Sequence, residues 1–199
     1  MESFWNEKYN TSEYIYGIHP NEFFAEQLTK LKPGKILLPC EGEGRNAVFA
    51  AAMGWKVDAF DISEIGKIKA ETLANENSVI IQYQIAKANT YLADPEKYDV
   101  IAYVYAHFPS DIRKDVFDHL NRYLKPGGTI LIEAFNTSQI NNQSGGPKDI
   151  DLLYSHEILE KDFKGFEISL LEEKEISLEE GSHHRGLANI IRLIAKKPA

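Results

Sequence analysis

The densest chemistry in the chain lies in the turn Pro39-Cys40-Glu41-Gly42-Glu43-Gly44. It follows the apolar run Lys35-Ile36-Leu37-Leu38 and precedes a helical segment, Arg45–Met53. Glycines at 42 and 44 let the backbone approach a ligand where a Cβ would collide, and the amides opening the next helix face an anionic group. Asp61 closes a second strand 19 residues after Gly42. A carboxylate there accepts both hydroxyls of a ribose, so turn and acid together form a nucleoside-binding pattern; taken singly they would be a tight turn and a helix cap. The dinucleotide fingerprint is broken, because Ala47 stands where the third glycine would fall and Glu41 and Glu43 would repel a pyrophosphate. The same acids suit a zwitterionic, sulfonium-bearing ligand, which points to S-adenosylmethionine.

The second group of reactive side chains is His183-His184-Arg185 near the carboxyl end, with His107 just past the fourth strand. Two histidines and an arginine in one turn can orient an anionic acceptor; the alternative is a solvated polar turn. His107 is the other base candidate, or else satisfies a backbone group. Arg192, within the last strand, is expected to pair with a carboxylate. Cys40 has no histidine fixed beside it in sequence and is not read as a nucleophile. One cysteine makes no internal disulfide, and no zinc-type Cys/His cluster exists, so no metal is expected. Glu172-Glu173-Lys174-Glu175 and the pair Glu179-Glu180 read as solvated surface.

Those side chains need elements to hold them, and 199 residues, 43% hydrophobic and 26% charged, suffice for one globular domain. Its expected parts are an amino-terminal cap and helix over 1–31, a cofactor-binding core over 35–134, and a substrate-side loop and hairpin over 135–199. The net charge of −8 argues against a phosphate-tracking nucleic-acid binder. The longest apolar runs, Ala47–Met53 and Val100–Ala106, have seven residues each, against the ~20 that span a bilayer. The opening residues lack the basic and apolar regions of a signal peptide, so a cytoplasmic protein without membrane or nucleic-acid partners, monomeric or homodimeric, is expected.

Periodicity predicts a helix from Pro20 or Asn21 to Leu31 and strands at Lys35–Leu38, Trp55–Phe60, Val79–Ile85, Tyr98–Tyr105 and Thr129–Ala134. Between them lie helices capped by Ser63 and by Ser110 or Asp111. Strands alternating with helices predict a doubly wound α/β fold with a mostly parallel, seven-stranded sheet. Asn136–Ile150 is a polar, glycine-containing loop, and Ser155 caps a short helix to about Asp162. Phe166–Leu178 and Leu187–Ala195 have only a turn around Gly181–Arg185 between them, so they pair as a terminal antiparallel hairpin.

The chain resembles the class I S-adenosylmethionine-dependent methyltransferases, a Rossmann-like fold. Within them it is similar to the small tellurite-resistance and thiopurine-type enzymes. The resemblance rests on Tyr16-Gly17-Ile18-His19-Pro20-Asn21, Gly42-Glu43-Gly44-Arg45-Asn46, Asp61, Tyr98-Asp99-Val100-Ile101, Lys125-Pro126-Gly127-Gly128 and His184-Arg185. It departs from the family at Leu38, where an acid is usual, and at Glu41, which replaces part of Gly-Cys-Gly and is the candidate for the lost carboxylate. It also implies that Asp61 holds the ribose, Ile62 packs on adenine, and either backbone Ala88 or the Asn89 amide meets the adenine amino group. The Gly42–Gly44 backbone, with Arg45 and Asn46 opening the helix, would cradle the methionine part. Tyr105 and His107 would floor the site near the methyl group, and Tyr9, Tyr14 and Tyr16 would close over it. The implied reaction is methyl transfer to a small molecule, with a soft nucleophile such as a thiol or a selenium or tellurium oxyanion among the implied acceptors and His184, Arg185 and His107 as catalytic candidates. Two rivals are a non-catalytic module that binds the cofactor or a partner, and an NAD-dependent oxidoreductase.

Overall fold

The structure, a computed structural model, describes residues 2–199. Helix α1 (Glu2–Tyr9) and helix α2 (Glu22–Thr29) lead into β1 (Lys35–Pro39) and α3 (Arg45–Ala52). Next come β2 (Lys56–Asp61), α4 (Glu64–Glu76), β3 (Gln82–Ile85), β4 (Tyr98–Val104) and α5 (Ser110–Asn121). The chain closes with β5 (Leu124–Phe135), helix α6 (His156–Asp162), β6 (Glu167–Glu180) and β7 (His184–Lys196). The strands form one seven-stranded sheet in the order β3-β2-β1-β4-β5-β7-β6. β1 to β5 run parallel, and β7 lies antiparallel to both β5 and β6. This is the doubly wound sheet with a terminal hairpin that the alternation of patterns requires.

Both faces of the sheet are covered, which is why β1 reads as an unbroken apolar run. Ile36 and Leu38 pack with α2, α3 and α4 through Phe24, Leu28, Ala47, Ala50 and Ala70, whereas Leu37 faces the side of α5 and α6 with Phe117 and Phe163. Capping follows expectation where an oxygen-bearing side chain precedes the helix. Asn21 accepts from the Phe24 amide, Ser63 from Gly66 and Ser155 from Ile158. For α5 the cap differs: Pro109 is the boundary residue, Ser110 lies inside the helix, and the Ser110 amide donates to Asp151 Oδ2 at 3.0 Å.

Other boundaries also shift. β3 begins only at Gln82, because Ser78 takes a positive φ of 57° and the Ile80 side chain points to solvent. The Lys125–Gly128 turn is absorbed into an irregular start of β5, where the register to β4 shifts between Tyr98 and Val100. The loop after β5 contains a short 3-10 turn, Thr137–Asn141, and is pinned by buried Gln139, whose amide donates to Ser144 Oγ at 2.9 Å. Among the described residues, no helix is long and apolar enough to cross a membrane, and no cluster of His, Cys, Asp or Glu is placed to hold a metal ion.

Candidate functional site

The strand order reverses between β1 and β4, and a crevice at the carboxyl ends of the strands is where open α/β sheets bind ligands. A cavity of about 1040 Å³ opens there. It is at the upper end of the roughly 300–1,000 Å³ common for ligand sites. The residues that end these strands adopt a backbone that non-glycine side chains rarely accept: φ is +56° at Cys40 after β1 and +52° at Tyr105 after β4. Such conformations cost about 1–3 kcal/mol each and gather at functional sites.

At one end of the cavity the glycine turn and Asp61 meet. β1 and β2 are in register at Pro39 and Phe60, which sets Cys40 level with Asp61. The Gly42 amide donates to Asp61 Oδ2 at 3.1 Å, and the Ser63 amide donates to Oδ1 at 2.9 Å. Burial pushes the Asp61 carboxyl up while these amide bonds pull it back. Each oxygen keeps a lone pair for a further donor. Gly42 is in the left-handed region with φ +61°, and a Cβ there would lie 2.6 Å from the Tyr9 hydroxyl, so any other residue would be strained and would displace that hydroxyl. Glu41 is buried; its Oε1 accepts from the Ala47 amide at 2.7 Å, and burial pushes its carboxyl up to about 7. Glu43 is ion-paired with Lys69 of α4.

At the other end of the cavity His184 is enclosed by aromatic rings. Its ring lies 4.4 Å from Tyr16, 4.6 Å from Tyr105 and 5.2 Å from Phe135, centroid to centroid. His184 Nδ1 is 3.2 Å from Glu180 Oε2. The same carboxylate oxygen accepts from Arg45 Nη2 at 2.9 Å, and Oε1 accepts from Asn21 Nδ2 at 3.1 Å. Burial would raise the Glu180 carboxyl, but the His184 and Arg45 bonds hold it down to about 2. Burial pushes His184 below its ordinary value, with Glu180 opposing. Asn21 also donates to Glu133 Oε1 at 2.5 Å, and Glu133 accepts from Arg192 Nε at 2.6 Å and from the Tyr105 hydroxyl at 3.0 Å. Arg192 thus pairs with a carboxylate, as its position in the last strand implies.

Of the residues singled out from sequence, Tyr16, Glu41, Gly42, Arg45, Asn46, Asp61, Ile62, Ala88, Asn89, Tyr105, His107 and His184 line this one cavity. Four expectations are corrected. Gly44 does not line it; with φ +91°, it lets α3 approach α4, since a Cβ would fall 2.5 Å from that of Ala70. Arg185 is exposed and outside the cavity, because β7 already begins at His184 and successive strand residues point to opposite faces. His107 has no free nitrogen: Nδ1 donates to the Leu152 carbonyl at 2.6 Å and Nε2 accepts from the Phe135 amide at 3.4 Å. Burial lowers it to about 4, so it is a neutral brace between β4 and the loop after β5 rather than a base. Tyr14 lies against α4, its hydroxyl donating to the Lys69 carbonyl at 3.0 Å.

Glu180 is the main residue that sequence reasoning missed, having been read as solvated surface. The signal was present: two positions after the inward Leu178, period-2 alternation turns Glu180 inward as well. Helix α1 was also missed, because its apolar residues make no clear stripe. It brings Trp5, Lys8 and Tyr9 over the cavity, and Asn6 Oδ1 accepts from the Ser63 hydroxyl at 2.7 Å.

Residues 36–128 match a family model described as "Methyltransferase domain". A search of curated proteins finds no match. Among solved structures, one described as "Conversion of a Disulfide Bond into a Thioacetal Group during Echinomycin Biosynthesis" superposes with a TM-score of 0.83 at 17% identity, covering 100% of this chain and 92% of that one. TehB from Haemophilus influenzae gives 0.73 at 18% identity, covering 98% and 66%. Phosphoethanolamine N-methyltransferase 2 of Haemonchus contortus, solved with S-adenosyl-L-methionine, gives 0.68 at 18%, covering 98% and 56%. At these identities the likeness is one of fold.

Proposed function

We propose that this chain, whose residues 36–128 match a methyltransferase-domain family model, transfers a methyl group from S-adenosylmethionine to a small-molecule acceptor bearing a soft nucleophile. The observation that carries this reading is one cavity with two chemically different ends. Asp61 and the Gly42 turn lie at one, and His184 within an aromatic enclosure lies at the other. The likeness to the structure concerned with a disulfide and a thioacetal supports a soft acceptor. The tellurite- and thiopurine-type resemblance belongs to the same proposal.

The residues fit the cofactor. Asp61 has lone pairs to accept ribose hydroxyl hydrogens, and Gly42 puts no side chain between the turn and the cavity. Asp61 and Glu41 give this end an acidic character that suits a ligand carrying sulfonium and ammonium charge and not a pyrophosphate, the charge of Glu43 being compensated by Lys69. When bound, the cofactor supplies an electrophilic methyl group. The protein's task is to hold a nucleophile in line with it and exclude water. Tyr105, Phe135 and Tyr16 form apolar walls, and α1 covers the cavity from the amino-terminal side.

The test is a thermal-shift comparison of S-adenosylhomocysteine with NAD and buffer, followed by an acceptor panel read as S-adenosylhomocysteine formed. A ligand at 100 times its Kd adds about 2.7 kcal/mol to folding stability, a clear rise in melting temperature. A shift with the homocysteine compound alone supports the proposal, and a shift with NAD alone overturns it. Cofactor binding without turnover on any acceptor would favour a binding module.

A further inference from the structure

We infer that the protein carries a second ligand site at the opposite end of the sheet, where Lys35 and Lys56 together bind a small phosphate monoester. The site shares no residue with the larger cavity, so the inference is independent of the methyl-transfer reading.

A cavity of about 380 Å³ opens where the first three strands begin, a volume within the range common for ligand sites. Lys35 comes from the start of β1, Lys56 from the start of β2, Gln82 from the start of β3, and Lys97 immediately precedes β4. Lys56 and Asp61 stand at opposite ends of β2, about 17 Å apart along a strand of that length. The register brings the cations together. Lys35 and Lys56 are directly opposite on neighbouring parallel strands, with backbones about 4.8 Å apart. Like charges so placed repel each other.

The nearby acids are committed to other cations. Asp58, on the same face as Lys56 and opposite Gln82, is ion-paired with Lys97 and accepts from the Tyr98 hydroxyl at 2.6 Å. Asp99 accepts from the Lys35 amide at 2.8 Å and is ion-paired with Lys125 at 2.6 Å. Among the described residues neither the Lys35 nor the Lys56 ammonium has an ion-pair partner. In a chain of net charge −8, two uncompensated lysines side by side at a cavity mark a place for an anion. Trp55 gives a second, independent observation. It lines the cavity, is 4% exposed, and its indole Nε1 has no hydrogen-bond partner. The other buried side-chain atoms in that condition among the described residues belong to Glu43, ion-paired with Lys69 and lining the larger cavity. Buried polar groups without a hydrogen bond are rare, and a ligand or ion is one thing that completes them.

Charge count selects the ligand. A phosphate monoester carries about −1.5 to −2 near neutral pH and matches two lysines, whereas a carboxylate leaves one of them uncompensated. Lysine also binds phosphate as a point charge, without the planar fork by which arginine selects carboxylates. The ligand's body has apolar surface to meet. Ile80 is 82% exposed at the same cavity, close after the positive φ at Ser78, and Val57 lies in the wall. Covering a solvated isoleucine is favourable, and the Gln82 amide can both donate and accept.

The experiment titrates phenyl phosphate, benzoate and inorganic phosphate into protein whose tryptophans carry nitrogen-15. The chain has two tryptophans, Trp55 in this cavity and Trp5 in the other, so two indole resonances report the two sites, assigned with Trp5→Phe. Phenyl phosphate should shift the Trp55 resonance saturably, with a Kd of about 1 mM or tighter, and leave Trp5 in place. Benzoate, lacking the second charge, and inorganic phosphate, lacking the apolar body, should each bind about tenfold more weakly. Lys35→Gln and Lys56→Gln alter exposed side chains and should each weaken phenyl phosphate by about tenfold, and added salt should weaken it in wild type. Lys125→Gln, at the same end of the sheet but outside the cavity, should leave the affinity unchanged. No saturable Trp55 shift up to about 10 mM, or benzoate binding as well as phenyl phosphate, would overturn the inference. A shift untouched by both lysine variants would mean an adventitious ion only, and a single-stranded oligonucleotide displacing phenyl phosphate at a lower concentration would mean a polyanion surface instead. S-adenosylhomocysteine should move Trp5 and not Trp55; its failure to bind would strike at the methyl-transfer reading and leave this site standing.

Discussion

Burial of the Glu41 carboxyl predicts opposite pH trends for folding stability and for S-adenosylhomocysteine affinity. Its carboxyl is buried with a single short hydrogen bond, 2.7 Å from the Ala47 amide, and a weak one at 3.5 Å from Asn46 Nδ2. Burial therefore pushes it from an ordinary 4.5 up to about 7. A carboxyl whose folded pKa exceeds its unfolded one contributes stability fully present below about pH 4.5 and lost as pH rises through 7. The gap of 2.5 pH units, at about 1.36 kcal/mol each, is a loss on the order of 3 kcal/mol. Glu41→Gln keeps an oxygen for the Ala47 amide and removes the ionisation. The variant should gain stability over wild type by up to about 3 kcal/mol at pH 8 and little at pH 4.5. Other titrating groups, His107 among them, cancel in that difference. Urea unfolding of both proteins at pH 4.5, 6 and 8 measures it. S-adenosylhomocysteine affinity should move the other way: rising with pH in wild type, where an ionised Glu41 meets cationic charge, and flat in the variant. An equal free-energy difference between the two proteins at pH 4.5 and pH 8 would falsify the account.

Four other outcomes follow from the geometry. Asp61→Ala should weaken S-adenosylhomocysteine binding by about 1.5–3 kcal/mol, the range for hydrogen bonds to a charged group; calorimetry returning wild-type affinity would remove the ribose assignment. Gly44→Ala places a Cβ 2.5 Å from that of Ala70 at φ +91°, so a loss of roughly 2–3 kcal/mol is expected in denaturant unfolding, and an unmoved midpoint would mean that α3 and α4 have slack. His107→Ala should cost about 2–4 kcal/mol at pH 7 through two backbone partners and lost packing. Because its folded value of about 4 lies below the ordinary 6.5, wild type holds this contribution above 6.5 and loses it as pH falls to 4, so melting curves of the two proteins should converge in acid. Arg185→Ala, on the outer face of β7, should leave affinity and turnover unchanged; a large loss would mean that the residue reaches the acceptor.

Much of the architecture is written locally. The unbroken apolar run of β1, the glycine turn after it, the caps at Ser63 and Ser155, and two strands joined by a short turn each depend on neighbours within a few residues, and each recurs in the structure. The place of Asp61 was legible for the same reason, since it ends the strand after a glycine turn and lines the cavity. Even the inward face of Glu180 follows from alternation, once the strand's end is known.

What the fold alone decided is which side chains share a space and which atoms remain free. Arg45 and Glu180 are 135 positions apart in the chain, yet their ion pair holds down the carboxylate that meets His184 Nδ1. His184 and Arg185 are adjacent in sequence and diverge because the strand already begins at His184, three residues before the start at Leu187 that local pattern indicates. His107 has the composition of a base, but a carbonyl from residue 152 and an amide from residue 135 occupy both its nitrogens. Protonation depends on burial and on partners brought from distant segments. The sequence by itself therefore determined the sheet and the Asp61 end of the cavity, and tertiary packing decided which atoms meet at the His184 end.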